Sequence, residues 1–313
     1  MEFFTVSLLN GVIYGLLLFM VSAGLTLIFG MMGVLNFAHA AFYMLGAYLA
    51  YSLEKTVGFW PAIVLSPILV GVTGGLVERY MLRRVHRYGH GHQLLLTFGV
   101  SFIITELVKL FYGNYPVDYR VPASLDFSAF RIFDASYPFY RLLIGGTSVL
   151  MFALIYLLLT RTRVGIVVRS AVFKPRMAEA LGHNVPMVFM GVFAVGSALA
   201  GLAGAVAGAF YTTNPNMALE LGVMVFVVVV VGGLGSLEGA MVASLLIGLI
   251  TSFAVGVDYS LADALGVVGL GAWAHQVGGL LTLKVSSLAG TIPFALMLLV
   301  LMVRPSGLMG NRE

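Results

Sequence analysis

The chain has 313 residues, 60% of them hydrophobic and 10% charged, with a formal net charge of +4 and a mean hydropathy of +1.02. Soluble globular domains are roughly 45–50% apolar and about 25% charged. The composition therefore excludes an ordinary soluble enzyme, a disordered protein and a nucleic-acid binder, and leaves a polytopic membrane protein. Cysteine is absent, which removes disulfides, thiol catalysis and Cys-ligated metal.

At about 20 residues per crossing, the length holds eight or nine spans and their connections. Apolar runs predict spans over 5–29, 37–53, 60–80, 94–112, 141–160, 186–210, 221–233, 238–256 and 286–303. The first reads as a retained span and not a cleaved leader: Glu2 precedes it, no Lys or Arg does, and no small-residue cleavage site follows. The run 221–233 is short and predicts a half-helix or re-entrant piece that lines protein. The fold class is all-α: a polytopic transmembrane helical bundle of about eight or nine spans with broken or re-entrant helices, read as one domain over 1–313.

The Lys/Arg bias predicts orientation. Arg79, Arg83, Arg84, Arg87, Arg161, Arg163, Arg169, Lys174, Arg176, Arg304 and Arg312 fall in one set of connections, 11 of the 17 basic residues. Lys55, Lys109, Arg120, Arg131, Arg141 and Lys284 fall in the other, with Asp118, Asp126, Asp134, Asp258 and Asp263. The first set is predicted cytoplasmic, which puts the C-terminus inside and, for an odd number of spans, the N-terminus outside. Two outer segments are long. Residues 113–140 are rich in Tyr, Pro and Asp and predict an ordered non-helical cap. Residues 257–285 predict an amphipathic interfacial helix or partial span anchored by Trp273.

In chain order, the first unusual stretch runs from Phe29 to His39, where Gly30, Gly33, Asn36 and His39 interrupt apolar sequence. Asn36 and His39, three apart, share one helical face. A broken helix lining a passage and interhelical glue with close-packing glycines fit it equally. His39 alone reads as a hydrogen-bonded structural residue. His86, His90 and His92 lie in a basic loop without an acidic or Cys ligand, so a solvated loop outweighs a metal site. Glu106 and Lys109 are spaced to pair.

The stretch Arg161–Asn184 is far more polar than its flanks. Pro175 suits the first position of a helix, Met177, Ala178 and Leu181 form an apolar stripe, and Gly182 is a C-terminal stop. Such a helix needs a covering partner or membrane surface. Composition by itself favours an ordinary positive-inside loop. Gly196, Gly201, Gly204 and Gly208 lie among alanines and predict tight helix packing. Gly232-Gly233-Leu234-Gly235-Ser236-Leu237-Glu238 lacks the Lys-Ser/Thr of a phosphate loop and reads as a sharp turn with Glu238 capping or pairing. It shares glycines with Gly30–Asn36, a likeness that chance explains about as well as duplication. No Ser/His/Asp set, HExxH or paired intramembrane carboxylates appear, so no catalytic or metal residues are assigned.

Several blocks together resemble the branched-chain amino acid ABC transporter permeases, of the first permease subunit type. They are Gly24–Gly30, Gly33–His39, Tyr43–Tyr48, Gly165 with Arg169, Glu179-Ala180-Leu181-Gly182, Gly232–Ser236 and Arg304-Pro305-Ser306-Gly307-Leu308, which cover nearly the whole chain. Ala40–Ala41 departs from the pattern, since many relatives carry Gly then Glu or a small polar residue there, and 257–285 is longer than usual.

The resemblance implies an inner-membrane, multi-pass subunit of a bacterial uptake system for branched-chain or other hydrophobic amino acids. It pairs with a second, related permease as a heterodimer. Two cytoplasmic ATPases hydrolyse the ATP and a periplasmic binding protein delivers substrate. This chain then binds no cofactor and no nucleic acid, and touches lipid. The 161–184 segment matches the family's ATPase-docking loop, with Arg169, Pro175, Arg176, Glu179, Ala180, Leu181 and Gly182 as coupling residues, which overturns the ordinary-loop reading. The substrate pathway is assigned to Gly30, Gly33, Asn36, Phe37 and His39. Urea, amides and aromatic acids are alternative cargoes within the family. An ion-driven secondary transporter, using Glu106 or Glu238, and an intramembrane transferase, using Asp258, Asp263 and His275, are the rival classes.

Overall fold

A computed structural model describes residues 2–132, 135–266, 269 and 271–310. Asp134 and Arg312 and the side chains of Arg87 and His275 lie outside that description. The helices are α1 (Glu2–Met32), α2 (His39–Val57), α3 (Phe59–Val77), the one-turn α4 (Arg83–Val85), α5 (His90–Tyr112), α6 (Phe139–Arg161), α7 (Arg163–Phe173), α8 (Pro175–Ala180), α9 (Val185–Gly208), α10 (Met217–Gly232), α11 (Leu237–Gly256), α12 (Leu261–Gly266), α13 (Gly271–Val277), α14 (Val285–Leu288) and α15 (Ile292–Val303). A π-helical turn, Glu78–Leu82, joins α3 to α4. Strands β1 (Ser128–Ile132) and β2 (Ala135–Pro138) form an antiparallel hairpin.

Small residues decide how these apolar helices meet, because lipid exposure gives two apolar helices no hydrophobic reason to associate. α1, 31 residues and about 46 Å long, runs antiparallel to α11. A Cβ on Gly11 would sit 2.8 Å from Leu249 Cα, and one on Gly15 2.7 Å from Leu245 Cα. α9 crosses both α1 and α2 at its glycines. A Cβ on Gly204 would meet the Tyr43 carbonyl oxygen at 1.9 Å, and one on Gly46 the Gly201 oxygen at 2.3 Å. The tight packing expected for the Gly196–Gly208 stripe is what these crossings require. Where a glycine instead faces open space, as at Gly99 and Gly191, no neighbour lies within 4 Å of the added carbon.

These pairings place every element between two faces. α6 runs parallel to α1, since Ser148 Oγ donates to the Leu16 carbonyl (2.6 Å) and Phe152 packs on Phe19. The ends of α1 and α6 therefore share a face with α7, α8, the start of α9 and the Gly233–Ser236 turn. Residues after α15 return to the same face: Leu308 N–H donates to the Val231 carbonyl (2.8 Å) and Met309 N–H to that of Gly232 (3.0 Å). The opposite face holds the start of α1, residues 113–138, the α9–α10 connection and residues 257–291. Ladder and hydrogen-bond contacts such as Val117 with Thr213, and Tyr119 Oη with the Ala205 carbonyl (2.8 Å), tie it together.

Among the described residues, six helices are long and apolar enough to cross a membrane by themselves: α1, Phe59–Val85, α5, α6, α9 and α11. α2 has 19 residues and starts inside the bundle, while α10 and α15 are short, with 16 and 12. The 221–233 run thus belongs to a helix over Met217–Gly232 that extends further toward its N-terminal side than expected. The single interfacial helix expected within 257–285 is instead divided into α12, α13 and a 3-10 turn, Gly279–Thr282. Gly269, Gly278 and Gly279, with positive φ of 81°, 64° and 61°, break the helical course. The described residues of 113–138 carry no helix and include the hairpin, where Phe130 and Tyr137 stack 5.2 Å apart.

Candidate functional site

The chain breaks its helix after Met32. Gly33 takes φ +64°, a left-handed stop, and its N–H caps the Phe29 carbonyl (2.8 Å). Residues 33–38 then turn back into the bundle, and α2 begins at His39. His39 Nε2 lies 2.8 Å from the Val21 carbonyl. Taking 1.5 Å per residue from Val21 to Met32, that point is roughly 16 Å inside the end of α1. Non-helical backbone at such depth is tolerated only where protein surrounds it.

The free peptide groups find local partners. Ala38 N–H donates to Asn36 Oδ1 (3.1 Å), His39 N–H to the Asn36 carbonyl (3.1 Å), and Phe37 N–H to Thr97 Oγ1 on α5 (3.2 Å). Thr97 carries no sequence signal. Only the fold brings it 60 residues across to the break.

Two of the buried polar atoms without a partner among the described residues lie at the break: Asn36 Nδ2 and His39 Nδ1, on residues 2% and 1% exposed. Their chemistry is determined by their other halves. Asn36 Oδ1 is an acceptor, so Nδ2 is a donor. The Val21 carbonyl accepts only, so His39 Nε2 carries the proton and Nδ1 of the neutral ring is an acceptor. Buried polar groups are seldom left this way. Beside them Phe37 stacks on Phe226 of α10 (6.2 Å, 19°), and Leu25, Ala40, Gly222 and Val225 complete a cavity of about 30 Å³. That space holds about one water.

Of the five assigned pathway residues, Asn36, Phe37 and His39 therefore converge on one cavity. Gly33 supplies the turn that aims them. Gly30 lies elsewhere, at the end of α1, where its added Cβ would meet the Gly235 oxygen at 2.8 Å. It borders a separate hollow of about 900 Å³ with Gly235, Ser236 and Pro305. The two glycine stretches that share a pattern thus touch. The turn's cap comes from Ser236, whose Oγ accepts from Gly239 N–H (3.0 Å), in the place expected for Glu238.

The 161–184 segment forms a two-helix bracket. Thr162 caps α7, accepting from Gly165 N–H (3.2 Å), and Arg169 Nε reaches back to the Gly165 carbonyl (3.3 Å). Pro175 opens α8, and Gly182 closes it at φ +87°. The expected stripe is divided. Ala178 is buried against Ala171 and Val185, while Met177 and Leu181 are 59% and 74% exposed. One turn of helix cannot bury both sides of itself, and the smallest member alone fits against α7. Met177 and Leu181 rim a hollow of about 370 Å³ with Arg169 and Lys174. Arg176, Glu179 and Ala180 lie on the same short helix.

Sequence reasoning missed Glu78. It is 3% exposed and pairs with Arg83 (2.8 Å), whose Nη2 also donates to the Pro186 carbonyl (2.8 Å). Five residues apart is out of register for an α-helix. The π-turn, in which Arg83 N–H reaches the Glu78 carbonyl, restores the register. This clasp ties α3 to the start of α9. Glu78→Ala is expected to lower stability by about 1–2 kcal/mol, since Arg83 is exposed enough to regain water, and thermal melting of the detergent-solubilised protein reads it.

Three of the residues named for the rival classes, Glu106, Asp258 and Asp263, have local partners. Lys109 pairs with Glu106 (2.7 Å) and Lys284 with Asp258 (2.8 Å), and the Asp258 hydrogen bond raises the Lys284 ammonium above its usual range. Asp263 accepts from Ser260 N–H (2.8 Å) and Oγ (2.6 Å). His86 Nδ1 contacts Gln93 Nε2 (3.1 Å).

Residues 7–301 match the family described as branched-chain amino acid transport system / permease component. The chain belongs to that family. It is 27% identical to the high-affinity branched-chain amino acid transport system permease protein LivH of Escherichia coli K12, over 99% of this chain and 97% of that protein. It is 26% identical to BraD of Pseudomonas aeruginosa over 98% and 95%, a protein of the same description. The probable branched-chain amino acid transport permease protein LivH of Methanocaldococcus jannaschii is 29% identical over 82% of each chain. A solved structure, PsaBC from Streptococcus pneumoniae in complex with Fab, covers 95% of this chain and 91% of that one at a TM-score of 0.46 and 13% identity. The permease is thus a multi-pass membrane component of a transport system, built as a helical bundle.

Proposed function

We propose that this permease is the translocating subunit of a bacterial inner-membrane ABC importer for branched-chain or other hydrophobic amino acids. In this reading it works beside a second, related permease. Two separate cytoplasmic ATPases hydrolyse the ATP, and a periplasmic binding protein supplies the cargo. This chain carries no cofactor and no ATPase site of its own. The face bearing Arg83, Arg161, Arg163 and Lys174, with the end of the chain, is cytoplasmic by the positive-inside bias. Residues 113–140 and 257–285 are extracytoplasmic.

One observation carries the reading. A zwitterion entering hydrocarbon needs an acceptor for its ammonium and a donor for its carboxylate. The helix break presents one of each, His39 Nδ1 and Asn36 Nδ2, buried and unpartnered beside aromatic and aliphatic walls. Phe37 and Phe226 act as the closed gate, Gly33 lets the backbone turn there, and Gly30 lets the end of α1 approach the Gly235 backbone. The α7–α8 bracket offers the exposed Met177 and Leu181, beside Arg169 and Lys174, as a socketed contact for the ATPase, with Arg176 on the same short helix.

Gly182→Val or Glu179→Lys is therefore expected to leave the ATPases hydrolysing while substrate uptake in proteoliposomes falls at least tenfold. Uptake that stays coupled in both variants would remove the docking assignment. Competition by urea, amides or aromatic acids would move the cargo within the family. Uptake driven by an ion gradient without ATP, or turnover of a lipid by the isolated chain, would replace the reading with one of its rivals.

A further inference from the structure

On the face opposite the α7–α8 bracket, an open cavity of about 750 Å³ lies among the start of α1, the end of α11 and the start of α6. Small-molecule sites typically measure about 300–1,000 Å³. Phe3, Val6, Ile13 and Val255 give it apolar walls. Its one charged group is Arg141.

Arg141 is placed against local preference. It sits in the first turn of α6, where the helix dipole already presents positive charge and no acidic residue offsets it. Its hydrogen-bond partner is the neutral Asn10 Oδ1, and its plane lies over Tyr137 and Phe210 at 5.5 and 5.3 Å. It forms no ion pair among the described residues, while Asp118 and Asp258 on the same face are taken by Arg120 and Lys284. The two rings favour the cation's place, but none of these neutral partners compensates its charge. Among the other lining residues, Thr251 on α11 has its Oγ1 buried without a partner.

We propose that this cavity is a vestibule that binds a monocarboxylate with a branched apolar chain. Arg141 anchors the carboxylate, Thr251 donates a second hydrogen bond, and the α1 and α11 residues enclose the chain. The site deepens the transport reading above and rests on it, since it would receive the cargo before the Asn36–His39 cavity.

The chain's lack of cysteine makes the test direct. A single reporter, Val255→Cys, 60% exposed in the wild type, is placed in the transporter assembled in nanodiscs without ATP. Its modification by a cationic methanethiosulfonate is timed with 4-methylpentanoate, L-leucine, 4-methylpentanamide or 3-methylbutylamine present. The two carboxylates are expected to slow labelling at least fivefold, the amide and the amine less than twofold. Arg141→Gln should abolish the protection and Arg141→Lys retain part of it. Val6→Cys, on the facing wall, repeats the measurement if the first reporter does not assemble.

Equal protection by the amide, protection unchanged in Arg141→Gln, or no protection at either reporter would overturn the site. So would closure of the reporter by anionic lipid whatever probe is present. Because labelling needs no ATP hydrolysis, a negative result alongside uncoupled Gly182→Val removes the vestibule and leaves the transport reading standing.

Discussion

Gly204→Ala is expected to abolish accumulation of folded permease, whereas Gly191→Ala in the same helix leaves it unchanged or slightly more stable. The difference is one of neighbours. A methyl carbon on Gly204 would lie 1.9 Å from the Tyr43 oxygen and 2.9 Å from the Ala47 nitrogen, both backbone atoms of α2. Side chains can swing away from an added carbon, but two helical backbones cannot. Overpacking ordinarily costs about 1–3 kcal/mol, and this contact, with no soft partner, exceeds that range. It is also a large share of a net stability of about 5–15 kcal/mol. Gly191 faces open space, and alanine there gains roughly 0.5–1 kcal/mol of helix propensity. Size-exclusion profiles of fluorescent fusions and melting in detergent read both variants. A Gly204→Ala protein that melts with the wild type would show that α2 and α9 do not cross as described.

Asn36→Ala is expected to lower uptake at least tenfold, about 1.4 kcal/mol of transport barrier, with ATP hydrolysis retained. The amide has two separable duties. Its oxygen holds Ala38 N–H in the turn that aims α2, and its nitrogen faces the closed cavity. Losing the first leaves a buried N–H unpaired, worth about 1–3 kcal/mol of stability. Asn36→Asp separates the two, because the carboxylate keeps the acceptor and replaces the donor with negative charge. It should preserve the turn while still obstructing a substrate carboxylate. Uptake and melting temperature measured side by side distinguish the roles. Asn36→Asp that transports as well as wild type would exclude a donor role for the amide. Thr97→Val should imitate the milder half of the effect, since it removes the support of Phe37 N–H and the longer contact to the Leu35 carbonyl (3.4 Å).

Part of this site is legible in the amino-acid sequence. The helix stop at Gly182, the proline opening α8, and the Glu106–Lys109 pair each depend on residues a few positions apart, so spacing along the chain reports them directly. The apolar runs locate the spans because every crossing helix must satisfy its own backbone and show hydrocarbon to lipid. The stretch Gly30–His39 divides in the fold between packing and a helix break. Gly30 is packing glue against Gly235, and Asn36 and His39 lie on a non-helical break at a cavity.

The rest depends on where distant segments meet. The Gly233–Ser236 turn docks against Gly307–Gly310, and no local pattern couples two stretches about 70 residues apart. Glu78 and Arg83 become partners through a π-turn that propensity does not foretell. Met177 and Ala178 are both apolar and adjacent in sequence, yet one is exposed and the other buried. Composition and periodicity determined that this chain enters a membrane as helices and which of its faces is basic, because those properties belong to residues one at a time or a few apart. Tertiary structure decided the depth of the break at 33–38, the convergence of Asn36 with His39 and Phe226, and the setting of Arg141. Each of those is a distance between helices, set by which small residues let two backbones come close.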